Sequence, residues 1–248
     1  MLCLDSRDGS RIWGMMADDL IETSPGLYGG MLYFADRSGN IYGVHSQDQQ
    51  VVWKQNVGMA VYSSPAVWEG ALYVGANDYQ MRAFEAKTGE LLWEFATGGE
   101  VLSSPAYVDG VVYASSCDHR LYALDARTGA KRWEFQTGGE IHSSPAVCEG
   151  TVFIGSRDHC IYAVDARTGK RKWSFDTGDW VNSSPAVSGG TLYCGSHDGK
   201  LYGLEIESGV CLWEYQTGGE VWSSPAVSQR SVYVGSGDGS VYAFRSRG

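Results

Sequence analysis

Short runs in which apolar and polar residues alternate recur along the whole chain, separated by glycine, aspartate and threonine. Residues 111–115 (VVYAS), 121–125 (LYALD) and 131–136 (KRWEFQ) each read as a strand, and residues 101–108 (VLSSPAYV) read as another before them. The breaks between them carry turn chemistry. Asp109-Gly110 predicts a tight turn, Asp118 centres a loop, and residues 126–129 (ARTG) end on a glycine placed for positive φ. Thr137-Gly138-Gly139 then leads into the next copy of the pattern. No stretch has helical periodicity, so the elements predict an all-β meander.

The pattern repeats on a fixed register. Trp13, Trp53, Trp93, Trp133, Trp173 and Trp213 recur at one constant interval of forty positions, as do Pro25, Pro65, Pro105, Pro145, Pro185 and Pro225. Four short strands within each such interval is the period of a propeller blade. The expectation is one domain over residues 1–248: a six-bladed β-propeller of four-stranded antiparallel blades. Residues 11–16 (RIWGMM) have the phase of a fourth strand, and residues 221–245 supply three strands that lack a fourth. Pairing the two would complete the sixth blade and remove an open sheet edge. Residues 1–5 (MLCLD) then duplicate a filled place, and either fray or belong to a longer repetitive protein. An open arc completed by another chain is the alternative.

The repeats resemble a known family. Ala123-x-Asp125-x-x-Thr128-Gly129-x-x-x-Trp133 and Ala163-x-Asp165-x-x-Thr168-Gly169-x-x-x-Trp173 are similar to the tryptophan-docking motif of PQQ-like, quinoprotein-type propeller repeats. Residues 192–202 (LYCGSHDGKLY) match that family's strand-turn-strand pattern, and His45, Asp48 and Gln49 depart from the motif in the first repeat. The resemblance implies the fold and says little about activity. Quinoprotein dehydrogenases of this fold are longer, eight-bladed, and carry adjacent cysteines and acidic calcium ligands. This chain has no two adjoining cysteines, so no PQQ and no other cofactor is expected.

A residue type repeated at one phase serves the scaffold. An indole buries roughly 150–250 Å², which at about 25 cal/mol per Å² gives an upper bound of ~4–6 kcal/mol. The six in-phase tryptophans are therefore expected between blades, facing small Ala and Gly residues. Asp78, Asp118, Asp158, Asp198 and Asp238 recur in the loop after the second strand, where a short carboxylate caps a turn. Steps such as Ser143-Ser144-Pro145 are expected to satisfy backbone groups where the chain enters the innermost strand, a place that tolerates proline.

Identity should then lie at in-phase positions that vary. The loop from fourth to first strand and the loop from second to third open on one face. Nine places after each in-phase tryptophan stand Glu22, Tyr62, Leu102, His142, Asn182 and Trp222; seven places after stand Leu20, Ala60, Glu100, Glu140, Trp180 and Glu220. The other loop brings Arg37, Asn77, Cys117, Arg157, His197 and Gly237. From these rim positions Tyr62, Glu100, Glu140, His142, Trp180, Asn182, Glu220 and Trp222 are read as a binding set. Trp180 and Trp222 weigh most, because an exposed indole is costly unless something covers it.

Charge and chemistry narrow the function. A formal net charge of -10 argues against nucleic acid, whose phosphates need a basic surface. No apolar run reaches the ~18–20 residues of a spanning helix, so membrane insertion is not expected. Cys3, Cys117, Cys148, Cys160, Cys194 and Cys211 have no Cys-x-x-Cys or zinc spacing and suit a reducing, cytoplasmic compartment. Convergence of Cys117, His119, His159 and Cys160 on a metal is set aside because they sit on neighbouring blades. A ring of Glu100, Glu140 and Glu220 for a cation is the remaining metal reading. Nucleophile elbow, metalloprotease helix and phosphate loop are all missing. The sequence thus points to a monomeric, non-catalytic scaffold that recognises a protein, peptide or small ligand at the channel mouth. The alternatives are an enzyme using His142 and the glutamates as acid and base, or a cell-envelope propeller of outer-membrane assembly.

Overall fold

A computed structural model of the chain describes residues 1–228 and 231–245. Every regular element among them is a β-strand. Five sheets are complete four-stranded antiparallel meanders, in which each strand pairs with the next in sequence. Blade 3 shows the plan: inner strand Ala106–Val108, second Val111–Ser116, third Arg120–Asp125 and outer Lys131–Gln136. Blade 1 runs from Gly26–Tyr28 to Val51–Asn56, blade 2 from Ala66–Trp68 to Leu91–Ala96, blade 4 from Ala146–Cys148 to Arg171–Asp176, and blade 5 from Ala186–Ser188 to Cys211–Gln216. The inner strand is only three residues long, shorter than residues 101–108, because the Ser104 N–H before it bonds to the next blade instead. Asp109 and Gly110 both take positive φ (48° and 76°), which twists the hairpin between inner and second strands as a mirror-image turn requires.

Each third and outer strand pair shifts register one step before the tryptophan. In blade 3 this bulge sets Trp133 opposite Ala123, and in blade 1 it sets Trp53 opposite Gly43. The indole then lies over a small residue and reaches the following blade. Trp53, Trp93, Trp133 and Trp173 donate Nε1–H to the carbonyls of Ala86, Ala126, Ala166 and Ile206, at 2.8–3.0 Å. The glycine three places beyond that carbonyl closes the other side: a Cβ on Gly169 would sit 2.8 Å from the Trp133 ring. Gly169 also has φ +70°, so the position excludes a side chain twice over.

Two further bonds repeat across the seams. Asp118 accepts N–H bonds from Gly98 of the preceding loop (2.7 Å) and from Arg120, and the hydroxyl of Tyr122; Asp158, Asp198 and Asp238 repeat this pattern. In Asp78 the hydroxyl is replaced by the Arg82 guanidinium. The paired serines divide their work. The first, such as Ser143, holds its own second strand through the Gly155 N–H. The second links blades: the N–H groups of Ser24, Ser64, Ser104, Ser144 and Ser184 donate to the Oγ of the equivalent serine one repeat on, at 2.9–3.0 Å. Hydrophobic clusters lie between blades, with Tyr73, Met81 and Trp93 of blade 2 packed on Val112, Tyr122 and Leu124 of blade 3.

The expected closing blade does not form. Arg11–Gly14 pairs with Leu2–Leu4 as a separate two-stranded sheet, and Ala226–Ser228, Ser231–Gly235 and Val241–Arg245 make a sheet of three. Residues 1–5 therefore neither fray nor duplicate a place; they supply the third strand that residues 11–14 need. The local hairpin wins because Asp5 closes it through the Gly9 N–H and the Arg7 side chain. A short loop costs less entropy to close than a pairing across the chain. The serine ladder, accordingly, ends at Ser224, and among the described residues no bond returns from it to Ser24. Exposure marks the two ends. Val241 is 77% exposed, while its counterparts Leu121, Ile161 and Leu201 are 0% exposed beneath a following blade. Leu27, at the other end, is also exposed.

Candidate functional site

The loops predicted to share a face do so, because a backbone bond joins them at every step. The N–H groups of Cys117, Arg157, His197 and Gly237 donate to the carbonyls of Glu100, Glu140, Trp180 and Glu220, at 2.7–2.9 Å. Between each pair of rim side chains lies a buried anchor; Ile141 and Val181 are fully covered, so their neighbours must point outward. Side chains of the loop after the second strand consequently meet side chains of the loop that enters the next blade.

From blade 3 to the C-terminal sheet these side chains form one polar chain. Cys117 Sγ lies 3.6 Å from His142 Nε2, which is 3.0 Å from Glu140 Oε2. Arg157 donates to the same Glu140 oxygen (2.8 Å) and to Asn182 Oδ1 (3.2 Å). Asn182 Nδ2 is 2.9 Å from His197 Nε2, and His197 Nδ1 is 3.3 Å from Glu220. Two indoles cap this chain: the Arg157 guanidinium stacks 4.8 Å over Trp180, and the His197 ring sits between Trp180 (5.9 Å) and Trp222 (6.1 Å). Trp180 and Trp222 remain 44% and 58% exposed.

Six of the eight residues read as a binding set thus come together: Glu140, His142, Trp180, Asn182, Glu220 and Trp222. Glu100 stands beside them, its side chain taken by Asn77 Nδ2 at 3.2 Å. Tyr62 lies apart, on the loop between blades 1 and 2. The three glutamates do not make a carboxylate ring, and Cys117, His119, His159 and Cys160 do not converge; among the described residues the only group of metal-type donors is Cys117, Glu140 and His142. Arg157 and His197, two rim positions outside the predicted binding set, join it in the structure. The signal for both is the constant offset that joins Cys117 to His142, Arg157 to Asn182 and His197 to Trp222. A third off-register indole, Trp68, also lies outside the predicted set; it is exposed on the opposite face and stacks on Tyr107 at 5.5 Å.

Electrostatics keep the cluster quiet. Burial lowers the His142 pKa, opposed by its hydrogen bond to Glu140 and reinforced by Arg157, which favours a neutral ring whose Nε2–H faces the Glu140 carboxylate. The His142 hydrogen bond, with Arg157, holds the Glu140 carboxyl below its usual range. Burial, then Glu140 and Glu100, push the Cys117 thiol up to about 12. A nucleophilic relay needs the thiol on one ring nitrogen and the orienting carboxylate on the other. Here both face Nε2, so the acid–base reading of His142 lacks its geometry.

Two clefts among the described residues lie away from this cluster. One on the opposite face is lined by Val108, Tyr113 and Trp133, and another by Ser188, Tyr193 and Trp213, the same positions two repeats on. They follow the blade register and so reflect the scaffold.

Comparison with known proteins agrees with this architecture. The family model described as outer membrane protein assembly factor BamB matches residues 2–106 and 96–248. The chain belongs to this family of PQQ-like propeller repeats. The crystal structure of BamB from Moraxella catarrhalis superposes with TM-score 0.82 at 21% identity, over 93% of this chain and 74% of that one. The computationally designed Ika8 protein superposes with TM-score 0.64 at 17% identity, over 96% of this chain and 87% of its own. No curated protein matches the sequence.

Proposed function

We propose that the chain is a non-catalytic platform that binds a segment of a partner protein on the rim spanning blade 4, blade 5 and the C-terminal sheet. One observation carries the reading. Trp180 and Trp222 stand exposed on either side of His197, while the polar groups beneath them are engaged with one another. Satisfied polar groups hold the indoles in place and leave their apolar faces for a partner, the usual composition of an interaction anchor. The family description supports a role in assembling outer-membrane proteins. The same reading assigns no quinone: the cysteines are free, none adjoins another, and Glu140 is already bridged to Arg157.

The test is photo-crosslinking in producing cells, with a benzophenone amino acid placed in turn at residues 180, 222 and 68. Discrete protein adducts from 180 and 222, absent from 68, support the rim. Adducts from 68 alone, or none, sink it. Six free thiols favour a second reading in which the same platform works in the cytoplasm; fractionation of the native protein separates the two.

A further inference from the structure

We propose that Cys117, Glu140 and His142 form a site for a single zinc-class divalent ion at the seam of blades 3 and 4. Their donor atoms all lie within 4.8 Å of one another, with Sγ 3.6 Å and Oε2 3.0 Å from the same ring nitrogen. Zinc bonds of about 2.3 Å to sulfur and about 2.0–2.1 Å to nitrogen or oxygen put tetrahedral donors about 3.3–3.6 Å apart. The convergence on one nitrogen that defeats a nucleophilic relay is what a metal requires, since all three donors then face one place. Thiolate, imidazole and carboxylate together select a borderline-soft ion over calcium or magnesium.

The scaffold fixes these donors before any ion arrives. Cys117 is held by its N–H on the Glu100 carbonyl, and Glu140 by its carbonyl on the Arg157 N–H. Ile141, buried between Glu140 and His142, bonds the Ser116 carbonyl. Nothing in the register demands this trio. The equivalent positions are Asn77, Glu100 and Leu102 one repeat earlier, and Arg157, Trp180 and Asn182 one repeat later. Arg157 holds the same Glu140 oxygen, Oε2, that faces His142, orienting the carboxylate toward the site as an outer partner does. On binding, the thiol releases its proton to solvent as the metal–sulfur bond forms. The neutral imidazole exchanges its Nε2 proton for one on Nδ1 through solvent, freeing Nε2 for the ion, and water fills the fourth position on the open rim.

Cobalt(II) titration of chelator-treated protein tests the site, because a thiolate–cobalt bond gives a near-ultraviolet charge-transfer band. We expect one equivalent of cobalt, displaced by zinc, with the band lost in Cys117→Ser and retained in Cys160→Ser. His142→Ala should weaken binding by more than about tenfold. Melting curves of the metal-free variants check that each is folded; should Cys117→Ser fail, His142→Gln with zinc calorimetry takes its place. No stoichiometric uptake, or a band that survives Cys117→Ser, overturns the site. Such a failure would leave the crosslinking result at residues 180 and 222 untouched, so the two readings fall separately.

Discussion

Trp133, at the seam of blades 3 and 4, and Trp180, on the rim between blades 4 and 5, do opposite things. Trp133 is packed between Ala123 and Gly169, with its N–H satisfied by Ala166 of the following blade. Trp180 lies on the rim with its ring stacked on Arg157 and much of its surface in solvent. The first occurs at a phase filled by tryptophan in every repeat, the second at a phase where the other repeats carry Leu20, Ala60 and three glutamates. Repetition marks side chains that serve the neighbouring blade. Departure from it, over an otherwise uniform backbone, marks side chains turned toward something outside.

The comparison breaks first if the seam proves soft. Trp133→Ala should lose about 3–5 kcal/mol, through burial and the cavity left between blades 3 and 4, read as a fall in denaturant midpoint. An unchanged midpoint would remove the seam from the account. Ser144→Ala comes next: it leaves the Ser104 N–H without its acceptor and should cost about 1–2 kcal/mol by the same measurement.

A smaller effect sits on the outer edge. Asp125 is held down to about 2 from 3.8, chiefly by Arg132 and then by Thr128. A carboxyl lowered in the folded state contributes stability that is present above about pH 4 and lost as the pH falls toward about 2. Because the pair is partly solvated, Asp125→Asn should cost no more than about 1 kcal/mol near neutrality. Its acid-melting curve should be shallower than wild type in that window. Least of all, the double variant Trp180→Ala/Trp222→Ala should stay within about 0.5 kcal/mol of wild-type stability; a larger loss would make the rim indoles structural.

Much of this was legible from the chain alone. The repeat register located the strands, the turns at Asp109-Gly110 and Gly129, and the face on which the variable residues gather. Closure was not legible, and for a physical reason. Translation symmetry says that residues 241–245 want a fourth strand and residues 11–14 a third, yet cannot say which neighbour supplies it. The local hairpin with Leu2–Leu4 decided that. The site was legible as positions and not as partners. That His142 would meet Cys117 rather than His119 depends on side-chain reach across a seam, and Trp68 escaped notice because its phase lies outside both rim loops.

The claim that outward identity resides on this rim has one most direct test. The partner captured by crosslinking is titrated against wild type, Trp180→Ala/Trp222→Ala, and Trp68→Ala, with melting temperature measured beside each affinity. The account predicts that the rim double variant binds at least about thirtyfold more weakly, roughly 2 kcal/mol, with an unchanged melting temperature, and that Trp68→Ala binds as wild type. Equal affinity for the rim variant and wild type, or a loss confined to Trp68→Ala, would contradict it.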